Sequence, residues 1–440
     1  MAAKRTILGH DPAVLLALWA NVVSWFVRSF IPSFLPKLLP TCKQEDPQPT
    51  GAGAPSIVQG RTRCISIGRP GGVEQLRIIT LKRGIATCGY NVHGQDIPFT
   101  KPILQDTDLP KDCVLLANEA FSVNYADCCI RWGLYESAKQ YVGYPIVPGF
   151  DIAGIVERVG SSKDCPWKVG DRVYGCSLFG AYSSRVLVPN IQLRKIPDGM
   201  SFADAASLPA VSLTSLYALF LAGHFPTKSR FQNRAILIHS AAGGVGSMLV
   251  QMSKLLGLSP IVGVVGHSSK VEAAKALGCD VVVDKSTQDL WEEAHAASPK
   301  GYATIMDANG VSTLQKSYDH LAMTGRLIVF GFHTNLPMGS DMLSPIQWMR
   351  MASKMQSMPK FDPMDMGQSN KAVLAFNLSF FAEERDMVIE LFDQVQTWLE
   401  SGKLRCPRVV EMEMAEIAQA HELIQSGKSI GKIVLKTASS

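Results

Sequence analysis

The residues Ile236-Leu-Ile-His-Ser-Ala-Ala-Gly-Gly-Val-Gly246 decide the fold of this chain. A short apolar run leads into a glycine-rich turn, and apolar residues at helical spacing follow as far as Leu256. This order of strand, turn and helix is typical of a dinucleotide-binding unit, in which glycines let the backbone approach a pyrophosphate. Gly243 and Gly246 take the second and third positions of the G-x-G-x-x-G pattern, whereas Ala241 replaces the first glycine. We therefore predict dinucleotide binding at this turn.

The pattern of apolar runs predicts an α/β fold with two domains. Strands and helices alternate over residues 206–332, which predicts a Rossmann domain with a doubly wound parallel sheet. Short β runs separated by glycine and proline over residues 61–205 predict an antiparallel β domain. Residues 376–440 are predicted to return to that domain. The Met-, Pro- and Ser-rich residues 333–375 are predicted to form an excursion over the active site or a dimer surface.

Composition excludes some classes of function and of binding partner. With 440 residues, 47% of them hydrophobic, the chain is long enough for a large core. The formal net charge of +5 is a small excess and no basic run is interleaved with aromatic residues, so we predict no nucleic-acid partner. The ten cysteines include no CxxC pair, which favours reduced thiols, and the adjacent Cys128 and Cys129 are predicted to be packed thiols.

The N-terminus carries an apolar stretch, Ala13–Phe30, followed by a linker rich in proline and glycine. Its uncharged part is shorter than the roughly 20 residues of a spanning helix, so an interfacial helix, a short anchor and a span all remain open. A signal peptide ranks last, because the A-x-A site lies far beyond the apolar run. We predict residues 1–60 to be this segment and linker, membrane contact through residues 13–39, and a folded body in the cytosol.

The sequence at the end of the second predicted strand, Val265-Gly-His-Ser-Ser-Lys270, favours NADPH over NADH. An NAD site would place an aspartate or glutamate there, on the ribose 2′-hydroxyl, and none is present. A 2′-phosphate could instead be held by Ser268, Ser269 and Lys270, with His267 as a further candidate. The alternative is that Lys270 is only a solvated surface charge.

Several motifs carry a family resemblance, and together they are specific. They are Asn124-Tyr-Ala-Asp127 with Arg131-Trp-Gly-Leu-Tyr135, Pro148 to Gly160, Val169-Gly-Asp-Arg-Val173, the glycine turn and Gly431-Lys-Ile-Val-Leu435. Over residues 63–436 the chain resembles the medium-chain dehydrogenase/reductase superfamily, specifically its quinone oxidoreductase branch and the vesicle amine transport protein homologues. The resemblance implies a GroES-like β-rich catalytic domain beside the Rossmann NADP-binding domain, and a homodimer.

The resemblance also bears on zinc. Zinc-dependent members carry a cysteine and a histidine where this chain has Asn124 and Phe150, and they carry a four-cysteine structural lobe that is missing here. Phenylalanine cannot bind zinc and asparagine binds it poorly. We therefore predict no metal and a hydride transfer that depends on positioning and on the exclusion of water.

The resemblance and the edge of the predicted sheet together supply the candidate site residues. Asn124 would line the cleft, Asp127 would fix its loop, and Tyr125 is the only nearby acid that could protonate a reduced carbonyl or enolate, unless it is a packing residue. His239 and His421 are predicted to be structural. The residues predicted to bind the cofactor are Thr214, Ala242, Gly243, Gly244, Val245, Gly246, Gly266, Ser268, Lys270, Asn309, Phe330, Gly331, Asn377 and Lys432.

The sequence thus predicts a zinc-independent, NADPH-dependent oxidoreductase that transfers a hydride to a quinone or an α,β-unsaturated carbonyl compound. One alternative is a membrane-associated nucleotide-binding scaffold of the same fold with little catalysis, which a blocked cleft would support. Another is an enoyl-thioester reductase, which would need a well-placed acid such as Tyr125. The physiological substrate stays open.

Overall fold

The computed structural model describes residues 62–81, 109–225, 234–333 and 345–437. The chain divides into two units, residues 1–58 and 59–440, and all described residues belong to the second unit. The predicted hydrophobic segment and linker therefore lie outside the described residues. Within the described ranges, no helix combines the length and the apolar character needed to cross a bilayer.

The described residues form fifteen strands. They are β1 (Thr62–Ile67), β2 (Leu76–Leu81), β3 (Cys113–Val123), β4 (Asp151–Val159), β5 (Arg172–Cys176), β6 (Arg185–Pro189), β7 (Leu193–Lys195), β8 (Ile236–His239), β9 (Ile261–Val265), β10 (Val281–Asp284), β11 (Tyr302–Asp307), β12 (Leu321–Val329), β13 (Ala372–Ala375), β14 (Val409–Glu413) and β15 (Lys432–Lys436).

The same residues form twelve α-helices. They are α1 (Tyr125–Arg131), α2 (Glu136–Tyr141), α3 (Phe202–Ala206), α4 (Pro209–Leu221), α5 (Gly244–Leu255), α6 (Val271–Leu277), α7 (Leu290–Ala297), α8 (Leu314–Asp319), α9 (Pro345–Gln356), α10 (Pro363–Ser369), α11 (Arg385–Glu400) and α12 (Ile417–Gln425).

Strands from both ends of the described body build a seven-stranded sheet in the order β14-β15-β3-β4-β5-β7, with β6 also paired to β3. All of its pairs are antiparallel except β14 with β15. The C-terminal strand β15 thereby joins the sheet that the first part of the chain begins. Apolar side chains such as Val114, Phe121 and Ile152 are fully buried in its core.

The middle of the chain forms a six-stranded parallel sheet in the order β10-β9-β8-β11-β12-β13. All four residues of the central strand β8 are buried, which is why its sequence is a continuous apolar run rather than an alternating one. The fold class predicted from the sequence, a β-rich domain with a doubly wound parallel sheet, is confirmed. The predicted domain boundaries stay predictions.

The sixth strand, β13, was not predicted from the sequence. It pairs in parallel with β12, Ala372 opposite Arg326, and so belongs to the Rossmann sheet. These residues fall within the stretch 333–375 that is predicted to form an excursion. The run has only four residues and its side chains are partly exposed, so it lacks the length and the burial that make strands visible in a sequence.

The two sheets meet at the glycine turn. The Gly431 N–H donates to the Ala242 carbonyl at 2.9 Å, and Gly431 forms an isolated parallel bridge with Gly243. Gly431 has a φ of +72°, and a Cβ atom there would lie 2.0 Å from the Arg408 carbonyl oxygen, so this position requires glycine. The contact sets the next residue, Lys432, directly beside the turn.

Candidate active site

A large cleft of about 970 Å³ runs along the carboxyl edge of the parallel sheet and under the β-rich domain. This edge is where doubly wound folds bind their ligands. All predicted site residues except Asp127 and Ser268 line it. The lining residues are Asn124, Tyr125, Thr214, Ala242, Gly243, Gly244, Val245, Gly246, Gly266, Lys270, Asn309, Phe330, Gly331, Asn377 and Lys432.

The glycine turn forms a cradle that side chains would fill. A Cβ atom at Gly246 would lie 2.2 Å from the Ser240 carbonyl oxygen, so the α5 N-terminus can pack on the strand only with glycine there. Ser240 itself has a φ of +57°. The next residue, Ala241, stands where the usual pattern has its first glycine. The open N-terminus of α5 suits an anionic pyrophosphate.

Lys270 lies in the cleft wall as a buried cation. Its side chain is 9% exposed, and Nζ donates to the Gly427 carbonyl at 2.6 Å and to the Ser429 carbonyl at 2.7 Å. No carboxylate of the described residues forms an ion pair with it, and burial lowers the pKa of Lys270. The alternative that Lys270 is a solvated surface charge is wrong, because the ammonium is buried against the loop before β15.

A carboxylate that sequence reasoning missed lies beside Ser268, two residues before Lys270. Ser268 Oγ donates to Asp284 Oδ2 at 2.5 Å, and hydrogen bonds from Ser268 and Ser286 lower the pKa of Asp284 to about 2. The predicted 2′-phosphate site rests on residues at the end of β9, whereas Asp284 comes from the end of the neighbouring strand β10. The exposed Lys285, which follows it, lines the cleft beside Gly266 and is a second cation that the sequence analysis missed.

Asn124 and Lys432 line the cleft and form a polar cluster with Asp151. Lys432 Nζ donates to Asn124 Oδ1 at 2.7 Å and pairs with Asp151 Oδ2 at 3.2 Å, while Asn124 Nδ2 donates to the same carboxylate oxygen at 2.7 Å. Lys432 and Asp151 are 4% and 0% exposed, so this is a buried ion pair with bridging hydrogen bonds. Asp151 was missed by sequence reasoning, although it lies within the Pro148 to Gly160 motif.

Tyr125 lines the cleft, but its hydroxyl is poorly suited to give up a proton. The hydroxyl lies 3.5 Å from the His333 carbonyl oxygen, and the Tyr125 and His333 rings are 5.0 Å apart. Burial, with smaller effects of Cys129 and Cys128, raises the pKa of Tyr125 above its ordinary value. The side chain also packs edge-on against Trp132.

Asp127 lies outside the cleft and fixes the loop that carries Asn124. Its carboxylate accepts hydrogen bonds from the Asn124 N–H at 2.8 Å, the Gly149 N–H at 3.1 Å and the Tyr182 hydroxyl at 3.0 Å. Tyr182 also contacts His421 Nε2 at 3.2 Å, and His421 Nδ1 contacts Cys128 Sγ at 3.5 Å. Burial raises the pKa of Asp127 to about 7 and lowers the pKa of His421 to about 3. His421 therefore belongs to a buried series of hydrogen bonds that runs through Tyr182 and Asp127 to the loop that carries Asn124.

At the end of β11, Asp307 organises the backbone that faces the cleft. Its carboxylate accepts from the Asn309 N–H at 2.8 Å and from the Ser317 hydroxyl at 2.9 Å. His239 Nε2 lies 3.1 Å from the Ser317 oxygen, and His239 also lines the cleft. The Phe330 N–H donates to the Asp307 carbonyl at 3.0 Å, which holds Phe330 and Gly331 at the cleft floor.

Aromatic side chains line part of the cleft. Phe150 is 7% exposed and packs 5.3 Å from Phe179 and 6.1 Å from Tyr135, ring centre to ring centre. The Tyr135 hydroxyl donates to Asn377 Oδ1 at 3.0 Å. Within the described ranges, no group of three or more His, Cys, Asp or Glu side chains could hold a metal ion. The aromatic lining of Tyr135 and Phe150 suits an apolar, planar ligand.

Two family models match the chain. The alcohol dehydrogenase GroES-like domain matches residues 110–198, and the zinc-binding dehydrogenase model matches residues 244–364. A 2-haloacrylate reductase of Burkholderia sp. is 31% identical over 332 residues, which cover 73% of this chain and 90% of that protein. The chain belongs to the medium-chain dehydrogenase/reductase superfamily. This membership places it among oxidoreductases.

Other members of the superfamily are similar over most of the chain. The human synaptic vesicle membrane protein VAT-1 homolog is 29% identical over 317 residues, 72% of this chain and 77% of that protein. The quinone oxidoreductase of Pseudomonas syringae has a TM-score of 0.65 at 25% identity, covering 86% of this chain and all of that one. The Escherichia coli quinone oxidoreductase, solved with NADPH, has a TM-score of 0.66 at 24% identity with the same coverage.

Proposed function

We propose that this chain is a zinc-independent, NADPH-dependent reductase of quinones or α,β-unsaturated carbonyl compounds. The observation that carries the proposal is the buried ammonium of Lys270 in the cleft wall. It donates to two carbonyl groups, and no hydrogen bond among the described residues uses its third N–H. A buried charge without a counter-charge is costly, and a 2′-phosphate would supply that counter-charge.

The rest of the cleft fits the same cofactor. The glycine cradle and the α5 N-terminus suit the pyrophosphate, and Lys285 offers a second cation at the 2′-phosphate end. Thr214, Asn309, Phe330, Gly331, Asn377 and Lys432 line the part in which we expect the nicotinamide half. That the E. coli quinone oxidoreductase was solved with NADPH supports this assignment.

When bound, NADPH would supply a hydride to the β-carbon of an enone and leave NADP⁺; the C=C π pair would then form a double bond between the α-carbon and the carbonyl carbon, and the C=O π pair would move onto the oxygen as an enolate. The chain's aromatic wall of Tyr135 and Phe150 would orient a planar acceptor and exclude water. The Tyr125 hydroxyl faces the His333 carbonyl oxygen at 3.5 Å, so we assign the final proton to solvent water rather than to Tyr125.

The two alternatives find less support. A scaffold without turnover would be favoured by a blocked cleft, whereas the cleft is open and about 970 Å³ in volume. An enoyl-thioester reductase would need an acid in place of solvent, and the Tyr125 hydroxyl is directed at the His333 carbonyl instead. We retain membrane contact through residues 13–39 and a homodimer as predictions.

The test is NADPH oxidation by the full-length chain with a para-quinone, an α,β-unsaturated ketone, an enoyl-thioester and a saturated ketone. We expect turnover of the quinone or the enone, none of the saturated ketone, and an unchanged rate in the presence of a metal chelator. Tyr125→Phe should keep more than about half of the parent kcat, because solvent supplies the proton. No NADPH oxidation with any acceptor would contradict the proposed function.

A further inference from the structure

The amide of Asn124 is held between two groups of opposite hydrogen-bonding character. Lys432 Nζ lies 2.7 Å from Oδ1, and Asp151 Oδ2 lies 2.7 Å from Nδ2. An ammonium can only donate, and a carboxylate can only accept. Rotating the amide by half a turn would place N–H groups against the ammonium and an oxygen against the carboxylate. The Asn124 amide therefore has one allowed orientation.

The carboxylate that enforces this orientation is itself fixed. Asp151 accepts from the Ser122 hydroxyl at 2.5 Å and from the Ala210 N–H at 2.6 Å, in addition to Asn124 and Lys432. Ser122 lies in β3, Ala210 in the first turn of α4 and Lys432 in β15, so three elements hold Asp151 in place. A buried carboxylate with this many donors has little freedom to move.

An asparagine amide nitrogen carries two hydrogens, and Asp151 uses one of them. No hydrogen bond among the described residues uses the second, and Asn124 is part of the cleft wall. We propose that Asn124 Nδ2 donates this second hydrogen bond to the carbonyl oxygen of the acceptor, and that Lys432 and Asp151 are positioning residues for it. The inference rests on the proposed function and adds the group that recognises the acceptor's oxygen.

The fold brings this donor next to the cofactor turn. A Cβ atom at Gly244 would lie 2.9 Å from Lys432 Cδ, so the lysine stem packs on the bare backbone of the turn. Lys432 also follows Gly431, which bonds to the Ala242 carbonyl. Asn124 accepts a hydrogen bond from the Lys432 ammonium, so it is fixed at the side of the cleft where we propose hydride transfer.

Other polar groups on this wall are already engaged. The Tyr135 hydroxyl donates to Asn377, and the Ser177 hydroxyl donates to the Phe179 carbonyl. The Tyr125 hydroxyl faces the His333 carbonyl. Among these neighbours, Asn124 keeps an N–H donor available for the acceptor's oxygen.

The chemistry explains why such a donor would matter for rate. When the hydride reaches the β-carbon, the C=C π bond breaks, a new carbonyl-side C=C bond forms, and negative charge develops on the carbonyl oxygen. Solvent then protonates the α-carbon and the carbonyl group is restored. A fixed N–H near that oxygen stabilises the charged state more than the neutral acceptor, so it raises kcat more than it lowers KM.

The first test is Asn124→Leu in the full-length chain, which removes the donor while leaving the Lys432–Asp151 pair. Loss of one such donor typically lowers kcat by about a hundredfold to a thousandfold. We expect that loss with the enone or quinone, a change in KM of less than about threefold, and unchanged NADPH affinity. A kcat within about threefold of the parent would overturn the proposal.

A second readout does not depend on turnover. We would load the chain with NADP⁺ and measure by absorbance the binding of 4-nitrophenolate, whose anionic oxygen resembles the enolate oxygen. Asn124→Leu should bind it at least about tenfold more weakly than the parent. Equal binding would overturn the inference, even if the parent turns over no acceptor and the proposed function itself has failed.

The positioning role of Asp151 is tested by Asp151→Asn, alone and combined with Asn124→Leu. The amide introduced by Asp151→Asn can donate as well as accept, so it no longer fixes the Asn124 amide. We expect the single change to lower kcat at least about tenfold, and the double variant to be no slower than Asn124→Leu alone. Additive losses would show that Asp151 acts independently of Asn124. If Asp151→Asn does not fold, the two Asn124→Leu measurements still decide the inference.

Discussion

At the scale of single residues, we propose that charge near Lys270 governs the choice of nucleotide. Lys270 and Lys285 place positive charge at the cleft wall. Asp284, which accepts a hydrogen bond from Ser268, places a negative charge next to Lys285 in the sequence. A 2′-phosphate carries about two negative charges and a 2′-hydroxyl carries none, so these side chains act on NADPH far more than on NADH. The two lysines favour the phosphate, and Asp284 opposes it.

This balance leads to a prediction for Asp284→Asn. The amide oxygen can still accept from Ser268, while the carboxylate charge and its repulsion of the phosphate are gone. We expect NADPH affinity to rise roughly three- to tenfold while NADH affinity stays the same. Fluorescence titration with both nucleotides measures this, with the exposed Asp365→Asn as control. Weaker NADPH binding would show that Asp284 does not face the phosphate.

At the scale of elements, the turn between β8 and α5 depends on the absence of a side chain at Gly246. A Cβ atom there would lie 2.2 Å from the Ser240 carbonyl oxygen and 2.7 Å from Ala241 Cα. Both contacts are with backbone that also forms the cradle, so neither can be relieved by a side-chain rotation.

Gly246→Ala should therefore weaken both nucleotide binding and stability. Overpacking of this kind costs ~1–3 kcal/mol, which urea unfolding would detect. The matched control is Gly367→Ala in α10, where nothing lies within 4 Å of the added Cβ and alanine is the better helix former. If Gly246→Ala unfolds at the parent's urea concentration and binds NADPH as the parent does, the cradle geometry is wrong.

The sequence predicts those elements whose signal is local. The glycine turn, the central strand β8 and the following helix each carry an unambiguous pattern within a short stretch of sequence. The short edge strand β13 does not, because four partly exposed residues carry little periodicity. Asp284 and Asp151 were missed for a different reason. Each becomes part of the site only through strand neighbours, β9 for Asp284 and β3 for Asp151, and a single sequence does not show that pairing.

At the scale of the whole molecule, the C-terminal residues complete the cleft. Gly427 and Ser429 hold Lys270, which is 157 and 159 positions earlier in the chain, and Lys432 holds Asn124 across 308 positions. His421, from the same tail, reaches the Asn124 loop through Tyr182 and Asp127. The contacts of both Lys270 and Asn124 thus depend on the C-terminal residues that lead into β15 and pair it with β3. Contacts this distant explain why sequence reasoning placed Lys270 near the cofactor but could not tell whether it was buried or solvated.

The central claim is that this cleft binds NADPH through a buried lysine, and nucleotide titration of the full-length chain tests it most directly. Parent, Lys270→Met and the exposed control Lys275→Met would each be titrated with NADPH and NADH. Loss of a charge-assisted hydrogen bond costs about 1.5–3 kcal/mol, so Lys270→Met should bind NADPH roughly ten- to a hundredfold more weakly, with NADH binding little changed. Equal affinities of the parent for the two nucleotides, or a Lys270→Met variant that binds NADPH as the parent does, would contradict the account.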